Sequence, residues 1–329
     1  MGSEARLLPL FAVGWRIGGC RWTCGQLPLA ATPACGVFAS MGLAEFFAQF
    51  RGGRSRARVD LVRRYELLHH GIAGTMSNFY KARDNASGAI VGLKVLDPKK
   101  VDPIESRYKG LGKAGEGEIG SLIVGPNVVK TLDWGVATDG RSFIVEEFLE
   151  GMLLHALLSK KLLLPAEQRL DLVRQAATGI DTVHRAGYVH RDICPRNFIL
   201  CADGRLMLFD FGLTVPDRPA FLQPGNRIGT PNYMAPEVVR RRQADRRIDL
   251  FSFGITAYEI CTLELPWPRG STGKAALAHD STAPTDIREY WPEIPDLLAS
   301  AIMSCVEADP AKRPASMEAF LTRIAKVSL

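Results

Sequence analysis

With 329 residues, 47% of them hydrophobic and 23% charged, the chain has apolar material for one large domain or two lobes and the composition of a globular enzyme. The formal charge of +6 is mild. Its basic residues crowd one stretch (Arg51, Arg54, Arg56, Arg58, Arg63, Arg64) without interleaved stacking aromatics, which argues against a nucleic-acid module. Seven cysteines, at 20, 24, 35, 194, 201, 261 and 305, include one close pair only, Cys20 and Cys24. This argues against a four-cysteine zinc site and fits free thiols in a reducing compartment, so a cytoplasmic protein is expected.

At the N-terminus, Arg6 precedes the apolar run Leu7–Trp15, but Pro9 and Gly14 break it too early for a signal peptide. Trp22–Ala44 has no charged residue and the length to span a bilayer, yet Pro28, Pro33 and Gln26 make it a poor membrane helix. Residues 1–64 are therefore expected to form an N-terminal extension, disordered or interacting, with a basic linker at its end. Two alternatives stay open: a natural start at Met41, and contact of residues 42–64 with an acidic surface or anionic lipid.

From Tyr65 the texture changes to short strands: Tyr65–His70, Phe79–Arg83, then Ile90–Leu96 beyond the turn signal Asp84-Asn85-Ala86-Ser87-Gly88. A helix is expected at Gly115–Val124, followed by strands Val128–Trp134 and Ser142–Phe148 around Thr138-Asp139-Gly140. Beyond 152 the pattern turns helical. Leu170, Val173, Ala177, Ile180 and Val183 recur at helical spacing, as do Ile248, Phe251, Ile255 and Tyr258. The fold class is α+β, a small β-rich lobe (about 65–147) followed by a large α-helical one (about 152–329).

Three blocks carry chemistry. His190-Arg191-Asp192-Ile193-Cys194-Pro195-Arg196-Asn197 is a loop in which Asp192 can orient a hydroxyl and take its proton, while Asn197 can hold a metal ion. Asp210-Phe211-Gly212 follows an apolar strand, Leu206–Phe209, and offers a carboxylate on a turn. Phosphoryl transfer needs such a group to place Mg²⁺, because its transition state is stabilised chiefly by charge and positioning. Gly229-Thr230-Pro231-Asn232-Tyr233-Met234-Ala235-Pro236-Glu237 comes third.

In this order and spacing the blocks resemble the catalytic loop, metal-binding triplet and Ala-Pro-Glu segment of the eukaryotic-like (Hanks-type) serine/threonine protein kinases. The resemblance covers about Tyr65–Leu329. It implies a bilobal protein-kinase fold, ATP and Mg²⁺ as cofactors, and a protein substrate. It also implies that Lys94 pairs the α- and β-phosphates with a helical glutamate; Glu116 is chosen, with Glu118 as the rival. Phe143–Leu149 resembles the hinge that hydrogen-bonds adenine, so Glu147 and Leu149, with Ile72 and Gly74 of the lid, are assigned to nucleotide binding. Asp249 matches a buried brace of the catalytic loop, and Glu237 and Arg313 match an ion pair tying the Ala-Pro-Glu segment to the larger lobe.

The departures are specific. Of three expected lid glycines only Gly74 is present; Ile72 and Ser77 fill the others. Phe79 stands where a small Val covers adenine, and Gly92 where an Ala is usual, which suggests a volume exchange. Glu146 falls at the gatekeeper position, usually apolar. Cys194 replaces the lysine that steadies the γ-phosphate, and Arg196 is expected either to supply that charge or to be a solvated loop residue. No Ser, Thr or Tyr lies between Thr214 and Thr230, where such kinases carry an activating phosphate, so activity without phosphorylation is expected there. A pseudokinase scaffold and a small-molecule kinase are the competing functions.

Overall fold

The computed structural model describes residues 57–69, 71–225, 227–270 and 275–329. The expectations for residues 1–56 lie outside them. Residues 57–64, expected as linker, are fastened to the first sheet. The Asp60 carboxylate caps α1 (Leu61–Arg64) by accepting from the amides of Val62 and Arg63, and Val59 bridges Ala137 in parallel. Arg64 then donates two hydrogen bonds to Asp84, at 2.6 and 3.0 Å. That contact, with two further bonds from Ala86 and Ser87, holds the Asp84 carboxyl far below the usual range.

Six antiparallel strands follow: β1 (Tyr65–Leu67), β2 (Ile72–Ala73), β3 (Ser77–Asp84), β4 (Ile90–Leu96), β5 (Thr131–Val136) and β6 (Ser142–Glu147). They run in the order β1-β3-β4-β6-β5, with β2 attached to β3. Alternation along β4 decides the lobe's chemistry. Val91, Leu93 and Val95 enter a core with Tyr65, Ala82, Phe143 and Val145, so a period of two turns Gly92 and Lys94 to the opposite face. Between β4 and β5 lie α2 (Pro98–Glu105) and α3 (Glu116–Leu122). The first has no counterpart among the sequence expectations, and it contains two prolines, Pro98 and Pro103. Pro98, however, sits at the first helical position behind the Asp97 cap, where its missing N–H costs nothing.

The larger lobe begins with β7 (Gly151–Leu153), α4 (Leu154–Ser159) and the 20-residue α5 (Ala166–Arg185). Next come β8 (Tyr188–Val189), β9 (Phe198–Cys201), β10 (Leu206–Leu208) and β11 (Val215–Pro216). The pairs β10-β9-β7 and β11-β8 form two small antiparallel sheets. Five helices complete the lobe: α6 (Pro236–Val239), α7 (Arg247–Thr262), α8 (Ala278–Ser281), α9 (Asp296–Cys305) and α10 (Met317–Ile324).

Helix α7 is the axis of this lobe. Every residue from Ile248 to Cys261 is buried, so its polar side chains need partners inside the protein. Ser252 donates to the Tyr233 carbonyl at 2.7 Å, and Glu259 accepts from the Tyr233 hydroxyl and from Arg269. Arg313 meets Glu237 with both terminal nitrogens, at 2.7 and 2.8 Å, out of contact with water. This bidentate pair ties the Ala-Pro-Glu segment to the region before α10.

Candidate active site

Lys94 is the centre of the site. Its ammonium, buried on the open face of β4, donates to Glu116 of α3 and to Asp210 at 2.8 Å. Burial opposes its charge, but Asp210 and Glu116 outweigh that and hold it firmly protonated. The same charge keeps Asp210 ionised in spite of burial. Glu118, the rival partner, is exposed. The strand lysine, the helical glutamate and the carboxylate 116 residues later are thus one cluster.

Asp210 follows β10 in the left-handed region, with φ of 68°. A non-glycine residue there is strained and must be held by its surroundings. Phe211 holds it, packed into the main core with its ring edge-on to His190 at 5.8 Å. Gly120, four residues after Glu116, makes room for this arrangement. A Cβ there would come 2.5 Å from the Thr131 hydroxyl and 3.4 Å from the Phe211 ring. Thr131 and Phe211 fill the space that a side chain on Gly120 would take.

The loop carrying Asp192 is fixed from below by Asp249. That fully buried carboxylate accepts from the amides of His190 and Arg191, each at 2.8 Å, and meets His184 Nε2 at 2.9 Å. Asp192 is held from both sides. Asn197 Nδ2 donates to its Oδ2 at 3.0 Å, while the amide and hydroxyl of Thr230 both donate to its Oδ1 at 2.8 Å. Cys194 lies beneath, its Sγ 3.5 Å from the Thr230 hydroxyl. Burial pushes its thiol up to about 12, so it is a neutral packing group. Arg196, in the turn Pro195–Asn197, is exposed, and its side chain makes no hydrogen bond or ion pair among the described residues. Nothing there replaces the missing lysine in the present state.

At the mouth of the cleft, Ile72, Phe79, Phe148 and Leu149 line a cavity of about 380 Å³ with His69, Lys81, Glu150 and Gly151, an apolar floor with a polar rim and room for a nucleobase. Gly74 forms the turn between β2 and β3, its N–H donating to the Ser77 carbonyl at 2.7 Å. Glu147 accepts from the Lys130 amide at 2.9 Å and closes the end of β6. A Cβ on Gly92 would lie 2.7 Å from the Phe79 ring, so the large residue on β3 fits only because its neighbour on β4 has no side chain. Asp210 and Asn197 offer hard oxygen ligands, of the kind that Mg²⁺ shares with phosphates. The residues present therefore fit Mg·ATP.

Glu146 is the anomaly. It is 5% exposed on β6, opposite Gly92 and on the same face of the sheet as Lys94. Burial pushes its carboxyl up to about 7, against the pull of Lys94. Sequence reasoning reached its position but not its surroundings. Tyr108, whose hydroxyl accepts from Arg191, was not found at all. The only sign was an aromatic residue among Arg107, Lys109, Gly110 and Gly112.

A family model described as "Protein kinase domain" matches residues 70–323. The chain is 32% identical over 267 residues to serine/threonine-protein kinase drp72 of Corynebacterium efficiens, covering 78% of this chain and 49% of that protein. It is 31% identical over 271 residues to serine/threonine-protein kinase pkn3 of Myxococcus xanthus, covering 77% and 48%. With PknA of Corynebacterium glutamicum the identity is 30% over 251 residues, covering 73% and 51%. The chain spans about half the length of these relatives.

Two outcomes follow from the packing around Glu146 and Gly92. A glutamate in the unfolded chain loses its proton near its ordinary value of 4.5, whereas Glu146 keeps it to about 7. The native state therefore binds more protons in that window, and stability falls as pH rises through it. Glu146→Gln should raise the unfolding free energy at pH 8, relative to its effect at pH 4, by about 3 kcal/mol in urea titrations. Gly92→Ala should raise the KM for ATP about tenfold as the methyl group drives Phe79 into the slot; steady-state kinetics check it.

Proposed function

The chain belongs to the protein kinase family, and we propose that it transfers the γ-phosphoryl group of Mg·ATP to serine or threonine hydroxyls of a protein substrate. The observation that carries this reading is the bond from Lys94 to Asp210 at 2.8 Å, with Glu116 on the same ammonium. A lone structural salt bridge would not need a second carboxylate, partly open to the cleft, drawn from another element.

Each residue has a task in this reading. Lys94, held by Glu116, binds the α- and β-phosphates. Asp210 and Asn197 hold Mg²⁺, which neutralises charge on the phosphates. Asp192 receives the acceptor hydroxyl and takes its proton; its carboxylate already accepts one hydroxyl, that of Thr230, at 2.8 Å. Ile72, Gly74, Glu147 and Leu149 enclose the nucleotide, and Arg196 swings to the γ-phosphate in the place of the missing lysine. The Gly229-Thr230-Pro231 sequence and the names of the relatives favour serine and threonine over tyrosine.

Among the described residues no helix is long and apolar enough to cross a membrane. The cytoplasm is the proposed location. No nucleic-acid partner is proposed, and contact of residues 42–64 with an acidic surface remains a proposal for the part before residue 57. A binding module without transfer is the second reading, favoured by the buried carboxyl of Glu146 on the face of Lys94 and by the lid with one glycine.

A peptide-library assay with labelled ATP decides between them. The full chain should phosphorylate serine or threonine peptides, and Asp210→Ala should lower the rate at least about a thousandfold by removing a metal ligand. Incorporation equal in Asp210→Ala and the unaltered chain would leave the binding module. Arg196→Ala should lower kcat by about one to three orders of magnitude, as expected for loss of one charge stabiliser.

A further inference from the structure

Arg191 precedes Asp192, a position that by the resemblance to Hanks-type kinases would meet a phosphate on the activation segment, yet the stretch between Thr214 and Thr230 has no hydroxyl to carry one. The Arg191 side chain is nevertheless buried and engaged. Its Nη1 donates to the Tyr108 hydroxyl, and its guanidinium lies 6.0 Å from the centre of the Tyr108 ring.

Tyr108 comes from the other lobe's side, in a single 3₁₀ turn, Ser106–Tyr108, between α2 and α3. It is only 4% exposed, and it belongs to one buried cluster with residues of the larger lobe, among them Val189, Cys194, Val215, Phe221 and Tyr233. Its ring lies 6.0 Å from that of Phe221, in the activation segment. The turn is pinned in its own right, because Lys113 bridges back to Glu105 at 2.8 Å just before α3 begins. One side chain therefore touches the loop of Asp192, the activation segment and the approach to the helix of Glu116.

We propose that Tyr108 is a positioning residue which does, from the connection between β4 and α3, what a phosphate on the activation segment would otherwise do. It holds Arg191, and through Arg191 it sets Asp192. The route is short. Arg191 has φ of 71°, its amide is bound by Asp249, and its carbonyl lies against Gly229, where a Cβ would come within 2.8 Å. Thr230, the next residue, donates twice to Asp192. A neutral hydroxyl does not need to be added or removed by another enzyme, so this arrangement is set by folding alone.

The proposal rests on the kinase reading for its consequence, but its test does not depend on turnover alone. The full chain is treated with phosphatase, its mass is checked, and kcat, KM for ATP, thermal midpoint and amide hydrogen exchange are measured for four forms: unaltered, Tyr108→Phe, Arg191→Gln and the double variant. Tyr108→Phe keeps the ring and loses only the hydroxyl. It should lower kcat about tenfold, with KM within about twofold, a size usual for one coupled contact. The thermal midpoint should stay within about 2 °C, while exchange quickens at residues 190–197 and 116–122.

The double variant should be no slower than the slower single one. Additive losses, an unchanged kcat, or a kcat loss matched by a fall in thermal midpoint would each overturn the proposal, as would loss of wild-type activity on phosphatase treatment. A wild-type chain that never transfers phosphate counts against the kinase reading instead. Exchange then decides the latch, which fails if Tyr108→Phe leaves 190–197 and 116–122 protected.

Discussion

One buried ammonium organises this molecule. Lys94 reaches the open face of β4 because its neighbours Leu93 and Val95 are needed in the core behind the sheet. Out of water, its charge has to be matched, and it draws Glu116 from α3 and Asp210 from the turn after β10 to the same point. Two carboxylates sharing one ammonium leave net negative charge that a divalent cation would offset. The cluster is thus a structural tie between three elements.

Around that cluster the protein keeps volume and changes its distribution. Phe79 and Gly92 exchange size across the roof of the nucleotide slot, and Gly120 gives up a side chain so that Thr131 and Phe211 can close in. Each substitution looks like a defect when read by itself. Set against its spatial partner, each is a repacking that keeps interior density, which protein cores require. Glu146 has no such compensation. A carboxyl with a pKa near 7 beside an apolar slot is a cost to stability, and sites that bear such a cost are commonly functional ones.

The activation segment shows the same substitution of one physical device for another. Against Arg191 this chain sets an aromatic hydroxyl placed by a 3₁₀ turn. Asp249 supplies the fixed half of the arrangement, holding the backbone of His190 and Arg191 from the axis of the larger lobe, and Tyr108 supplies the half that faces the smaller lobe. Asp192 stands between them, already oriented by Asn197 and Thr230.

The sequence by itself determined the two-lobed α+β plan, strand β4 from Ile90 to Leu96, and the candidacy of Lys94 and Asp210, which the fold brings together. Those features are written in local alternation, helical spacing and short blocks whose order is itself informative. Only the tertiary structure decided that Glu116 and not Glu118 meets Lys94, since both stand at the start of one helix and only its docking turns one inward. Only it showed that residues 57–64 belong to the sheet, that α2 forms around two prolines, and that Tyr108 lies inside the other lobe. Helix α2 rests on its neighbouring Asp97 cap, but in the other cases the deciding partner lies on another element, and no local pattern encodes a contact that depends on how elements pack.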